Sequence, residues 1–136
     1  MERVEPEPVK KVDLTNLTIV MYHSPICRRC EKYEEYLESA GFEVESIEIE
    51  KTGSLKKEMG ILKKMWSCHT IVIGDYYVEG HVPVEAIRKL LEEQPDIDGI
   101  ALPDMPSGSP GMDGVKKKPF TIYAISDGEV KVFMEI

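Results

Sequence analysis

The order of the apolar segments constrains the fold of this chain more than any other feature. Strand-like runs alternate with helical patterns for two rounds, and the rhythm then changes at residues 70–73 and 76–79, two strand-like runs joined by Gly74-Asp75. A two-residue connection forces antiparallel pairing, whereas each strand–helix–strand crossover favours parallel pairing. The sequence therefore predicts an α/β domain with a mixed sheet and the order β-α-β-α-β-β-α.

The individual elements follow from local signals. The predicted strands cover residues 17–22, 42–49, 70–73 and 76–79. In the second strand the apolar positions change phase between Val44 and Ile47, which indicates a bulge. The first helix is expected over about 28–40, the second is capped by Ser54, and the third has Pro83 in its first turn.

The two ends of the chain and one internal segment have a different composition. Residues 1–16 alternate acids, prolines and lysines and are expected to form a flexible tail before a single domain over 17–136. Residues 95–119 hold five prolines and four glycines, which is typical of a lid or binding loop or of a disordered linker. Residues 120–135 predict a terminal β-hairpin that turns at Asp127-Gly128.

Charge and hydropathy exclude several classes of partner. The formal net charge is −8, so nucleic acid and anionic membrane surfaces are expected to be repelled. No apolar run is long enough for a membrane span, and the N-terminus lacks the apolar segment of a secretory signal. We therefore expect a cytoplasmic protein, whose thiols stay reduced and whose three cysteines do not form a disulfide framework.

Cys27 and Cys30 stand where the first predicted strand passes into the first predicted helix. The unpaired N–H groups of a helix start stabilise a thiolate, and Arg28 and Arg29 add positive potential. In this context the pair indicates a thioredoxin-like fold, with a lowered pKa for Cys27 as the more exposed, attacking sulfur and Cys30 as the resolving thiol. One hypothesis is therefore a thiol–disulfide oxidoreductase that acts on a partner protein or a small thiol.

Five further residues are candidates for the same site. Cys68 precedes the third strand, and it will face the pair if the first and third strands are neighbours; the alternative is a buried structural cysteine. His69 can contact a sulfur, bind a metal or be satisfied by backbone groups, and His81 can be a ligand or organise the entry to the last helix. The thioethers of Met105 and Met112 are soft ligands for Cu(I) or adaptable packing groups.

Four motifs in this order resemble the CopG-type copper-resistance proteins, a family long catalogued as a domain of unknown function. The motifs are Ser24-Pro25-x-Cys27-x-x-Cys30, Ser67-Cys68-His69-Thr70, Glu79-Gly80-His81-Val82-Pro83 and Leu102-Pro103-x-Met105-Pro106-x-Gly108-Ser109-Pro110-Gly111-Met112. The resemblance implies a thioredoxin-like fold whose cysteines bind copper, with a role in copper redox handling.

Carried over onto this sequence, the resemblance implies a set of metal-binding residues. The matching positions are Cys27, Cys30, Cys68, His69, His81, Met105 and Met112. Arg29 stands where family members often have an additional cysteine, so a multinuclear copper cluster is not implied, and many members are exported whereas no signal is seen here. The second hypothesis is thus a binding module for Cu(I) or another thiophilic metal.

Overall fold

A computed structural model describes residues 18–25, 27–103, 106–110, 112 and 114–136. The predicted tail at 1–16 and Met105 lie outside these residues. The strands within them are β1 Thr18–His23, β2 Glu43–Glu48, β3 His69–Ile73, β4 Tyr76–Gly80, β5 Gly99–Leu102, β6 Thr121–Ser126 and β7 Glu129–Glu135. The helices are α1 Arg28–Ser39, α2 Thr52–Glu58 and α3 Val84–Glu93, with a 3-10 helix at Lys63–Met65. In this part of the chain no helix is long and apolar enough to cross a bilayer.

The strands form one mixed sheet in the order β2-β1-β3-β4-β5-β6-β7. β1 pairs in parallel with β2, and β4 with β5, while the remaining pairs are antiparallel. The predicted mixed α/β class is therefore confirmed, as are the hairpin at Gly74-Asp75 and the terminal hairpin. The first and third strands are neighbours, which places the ends that carry the cysteines side by side.

Apolar residues from both faces of the sheet build the core. The larger cluster lies under α1 and α3 and includes Ile19, Met21, Tyr33, Leu37, Ile71, Ile73, Ile87 and Leu90. The smaller cluster on the other face is Ile61, Met65, Tyr77, Ala101 and Ile125. Neighbouring residues of a strand point to opposite faces of the sheet, and each face is covered by one of the two clusters. Central strands such as β3 and β4 are therefore buried along almost their whole length.

The long Pro/Gly segment contains a strand that the sequence analysis did not predict. β5 is a fully buried run of four residues, Gly99–Leu102, inserted between β4 and β6. Such a short run has no periodicity of its own, and the surrounding prolines and glycines hide it. The expectation of one structureless loop over 95–119 was therefore wrong for this part.

Two local expectations also need correction. Ser54 lies inside α2, whose N-cap is Lys51, and α2 ends at Glu58 because Gly60 follows with a φ of +78°. The register of β1 with β2 runs without interruption, so there is no bulge in β2. The phase change there reflects an edge strand that is exposed along most of its length.

The backbone conformation of Gly80, at the end of β4, can be tested by substitution. Its φ is +90°, and an added Cβ would lie 2.6 Å from the Leu102 carbonyl oxygen, whereas Gly74 has a φ of +59° and open space around it. We expect Gly80→Ala to lower the free energy of unfolding by about 3 kcal/mol and Gly74→Ala by about 1 kcal/mol. Denaturant titration measures both values, and equal losses would contradict the prediction.

Candidate metal centre

The first two sulfurs lie at the start of α1. Cys27 is the N-cap residue of this helix and is half-buried, while Cys30, in the first turn, is fully buried. The two are joined by a disulfide. Cys27 is thus the more exposed sulfur, as predicted, and its lowered pKa stays a prediction because a disulfide-bonded cysteine does not titrate.

Cys68 faces this pair, as the neighbouring positions of the first and third strands predicted. His23 at the end of β1 is paired with His69 at the start of β3, so the residue before β3 lies beside the β1–α1 turn. The sulfur atoms of Cys27, Cys30 and Cys68 lie within 4.8 Å of one another. The Cys30 sulfur is also 3.7 Å from the Cys68 carbonyl oxygen.

Two imidazole rings complete the cluster. His69 Nδ1 is 3.3 Å from the Cys68 sulfur and 3.5 Å from the Cys30 sulfur, and His81 Nε2 is 3.1 Å from the Cys68 sulfur. The side-chain ligand atoms of Cys68, His69 and His81 therefore form a second group within 4.8 Å, which shares Cys68 with the first.

Backbone carbonyls fix the tautomer of both rings. His69 Nε2 lies 3.0 Å from the Gly80 oxygen, and His81 Nδ1 lies 2.6 Å from the Pro110 oxygen. A carbonyl only accepts, so these nitrogens carry the protons. In the neutral rings, His69 Nδ1 and His81 Nε2 therefore present lone pairs to the sulfurs, which is the arrangement a metal-binding histidine requires.

Burial sets the protonation of the cluster. It lowers the pKa of His69 well below the ordinary value and also lowers the pKa of His81, so both rings are neutral at pH 7. Burial raises the pKa of the Cys68 thiol. Without a metal, Cys68 is therefore a thiol that can donate to an imidazole lone pair, and a metal ion would displace its proton.

Tyr33 holds the two rings in place, although it is not among the site residues predicted from the sequence. The fully buried phenol stacks on His69 at 4.6 Å, meets the edge of His81 at 5.3 Å and donates a hydrogen bond of 2.6 Å to the Val82 oxygen. The helical spacing indicated only an apolar position. Its position three residues after Cys30 puts both on one face of α1, and this was the available signal.

Met112 and His23 have other contacts. Met112 lies against Arg29, whose Nη1 donates to the thioether sulfur at 3.4 Å, and Met105 is outside the described residues. His23 is close to the cluster, but its Nδ1 lies 2.9 Å from the Ser24 oxygen and its Nε2 2.6 Å from the Ser46 hydroxyl. His23 therefore has both nitrogens engaged and is no part of the donor set.

The donor set suits a soft metal ion. Three sulfurs and two neutral imidazoles are ligands for Cu(I) and Zn²⁺, whereas Mg²⁺ and Ca²⁺ require oxygen. Tetrahedral coordination at ordinary metal–ligand lengths separates S and N by about 3.5 Å. The observed separations of 3.1 and 3.3 Å differ from this value by a few tenths of an ångström.

Comparison with known proteins identifies two similar solved structures and one family profile. Residues 65–112 match the sequence profile of a family described as a protein of unknown function, DUF411. Two solved structures titled copper resistance protein CopG, Form 2 and Form 1, are 35% identical to this chain, with TM-scores of 0.82 and 0.81. Each alignment covers 88% of this chain, and 98% and 97% of the respective relative. No curated protein matches significantly.

Acidification should destabilise the metal-free protein. The pKa of buried His69 lies well below the value of about 6.5 for an unfolded chain, so the unfolded chain binds a proton that the folded chain excludes. Above about pH 6.5 neither state binds this proton and it does not affect stability; as the pH falls below that value, protonation favours the unfolded chain and stability is lost. In denaturant titrations between about pH 7 and pH 5, His69→Gln should reduce the slope of stability against pH by up to about 1.4 kcal/mol per unit. Equal slopes would contradict the prediction.

Proposed function

The chain belongs to the family of CopG copper resistance proteins, and on that premise we propose that it binds Cu(I) and serves in copper handling. The observation that carries the proposal is that Cys68 belongs to two overlapping groups of donor atoms, one with the sulfurs of Cys27 and Cys30 and one with the imidazoles of His69 and His81, whose lone pairs face the Cys68 sulfur. The relatives are titled copper resistance proteins, which supports copper as the metal.

The reduced cysteines are the proposed primary ligands. Thiolates of Cys27, Cys30 and Cys68 favour Cu(I) because soft ligands select a soft ion. His69 and His81 are neutral at pH 7 and can complete the coordination without first losing a proton. Met112 and Met105 are proposed as accessory thioethers. The segment that carries Met112 is tied to the cluster through Pro110 and His81, and Met112 would exchange its contact with Arg29 for the metal.

Binding requires an open Cys27–Cys30 pair. Reduction of the disulfide takes two electrons and two protons from an external dithiol and yields two thiols, which lose their protons when they bind the metal. Bound Cu(I) in turn occupies the thiolates and suppresses disulfide formation. A cytoplasmic location, where thiols remain reduced, stays a prediction that agrees with this requirement.

The first sequence hypothesis, a thiol–disulfide oxidoreductase, is the less supported of the two. The comparisons point to copper resistance and carry no indication of disulfide exchange. A thioredoxin-like fold remains part of the proposal. The strand order β2-β1-β3-β4, with the cysteine pair at the start of α1, supports it.

Removal of Cys68 should weaken Cu(I) binding most, because this sulfur contacts both imidazoles. In anaerobic titrations of the reduced protein against a chromogenic Cu(I) chelator, we expect Cys68→Ser to lower affinity more than about 100-fold and His81→Gln about 10-fold or more. His23→Gln is the matched control, since both nitrogens of His23 are engaged elsewhere. Wild-type protein that loses its Cu(I) to a weak chelator, or undiminished binding by Cys68→Ser, would contradict the proposal.

The oxidation state of the cysteine pair should control this affinity. We expect the disulfide-bonded wild type to bind Cu(I) as weakly as the reduced Cys27→Ser/Cys30→Ser variant, because both lack the same two thiolates. The same chelator competition, run on oxidised and reduced protein, measures the difference. Equal affinity of oxidised and reduced wild type would show that these two sulfurs are not ligands.

A further inference from the structure

A buried network of polar side chains lies behind the metal centre, on the opposite face of the sheet. Lys56 of α2 and Glu79 of β4 are 2% and 0% exposed, and Nζ is 2.5 Å from Oε2. The Thr70 hydroxyl accepts a hydrogen bond of 2.8 Å from Lys56 and donates one of 2.5 Å to Glu79 Oε1. Lysine and glutamate are almost never this buried unless they are paired.

This network holds the chain on both sides of the Cys68-His69 pair. Glu79 Oε2 accepts a hydrogen bond of 2.7 Å from the backbone N–H of Ser67, the residue before Cys68. Thr70, the residue after His69, is bonded to the same carboxylate. The segment that carries Cys68 and His69 is therefore held at both ends by hydrogen bonds to the buried Glu79 side chain.

Glu79 is also adjacent to Gly80, whose carbonyl oxygen accepts the hydrogen bond of His69. This bond fixes the tautomer of His69, and His81 follows Gly80 directly. The Glu79 side chain is thus bonded to Ser67 and Thr70, on either side of Cys68 and His69, and its backbone lies two residues before His81. Three of the five proposed ligands are therefore next to residues that Glu79 holds or adjoins. Lys56 neutralises this carboxylate within the core and bonds to the Thr70 hydroxyl as well.

Stability alone does not explain a buried ion pair. Desolvation of two charges is so costly that replacement of such a pair by apolar residues of similar volume is often neutral or stabilising. In some proteins buried polar groups of this kind are retained for the conformation that they specify.

From this arrangement we propose that Lys56, Thr70 and Glu79 are positioning residues that set the place of Cys68 and His69 in the metal centre. The inference rests on the proposed metal-binding function. Loss of the network would free the 67–68 segment and allow the sulfur that the two groups of donor atoms share, that of Cys68, to move away from both. Outer-shell partners of metal ligands commonly change metal affinity by about 10- to 100-fold when they are removed.

The test compares metal affinity with stability in the reduced, full-length protein. The apolar replacement combines Lys56→Met, Thr70→Val and Glu79→Leu. The control replaces the partly exposed pair Lys89 and Glu93 of α3, whose Nζ and Oε2 atoms are 2.7 Å apart, by the same Met and Leu. We expect the apolar replacement to lower Cu(I) affinity about 10- to 100-fold with an unchanged or raised melting temperature, and the control to leave affinity unchanged.

A second pair of variants covers the case in which the triple variant does not fold. Thr70→Val removes the shared hydroxyl at constant volume and should lower Cu(I) affinity about 10-fold, while Thr70→Ser keeps the hydroxyl and should retain wild-type affinity. The Co²⁺ spectrum of each folded variant reports the coordination geometry. A folded triple variant, or Thr70→Val, with wild-type affinity and spectrum would overturn the inference. Absence of Cu(I) binding by the wild type would instead overturn the proposed function.

Discussion

The antiparallel pairing of β1 with β3 is the constraint on which the rest of the site depends. It places His23 opposite His69, so the turn that carries Cys27 and the segment that carries Cys68 meet at the same end of these two strands. β4 pairs with the other side of β3 and brings Gly80 and His81 to the same end of the strands. Backbone hydrogen bonds of the sheet therefore bring the proposed ligands together from three distant parts of the sequence.

Main-chain carbonyls, rather than charged side chains, give the two histidines their ligand character. The Gly80 oxygen belongs to a residue whose φ of +90° favours glycine, and the Pro110 oxygen belongs to the segment that follows β5. The first contact is built into the sheet, and the second exists only when that segment lies against the site. His69 is thus oriented by the core and His81 by a surface segment, although both rings contact the same sulfur.

Much of this site could be predicted from the sequence, because its signals are local. The placement of Cys27 and Cys30 followed from a strand that runs into a helix, and the approach of Cys68 followed from the expectation that the first and third strands are neighbours. β5 escaped prediction because four apolar residues carry no period. Lys56 escaped because a lysine on a short helix is usually exposed, and its burial depends on Glu79, 23 positions away. Contacts of that range leave no mark on local patterns.

Cys68 belongs to both groups of donor atoms, and this gives the cysteine pair an effect beyond the loss of two ligands. With the pair reduced, the cluster offers three sulfurs, a soft set that stabilises Cu(I). When Cys27 and Cys30 are joined, one sulfur and two imidazoles remain, and nitrogen ligands of this type also suit Cu(II) and Zn²⁺. The network of Lys56, Thr70 and Glu79, on the opposite face of the sheet, holds the segment around Cys68, the residue common to both sets of donors. The chain around Cys68 and His69 is therefore fixed by groups that neither oxidation nor reduction of the pair alters.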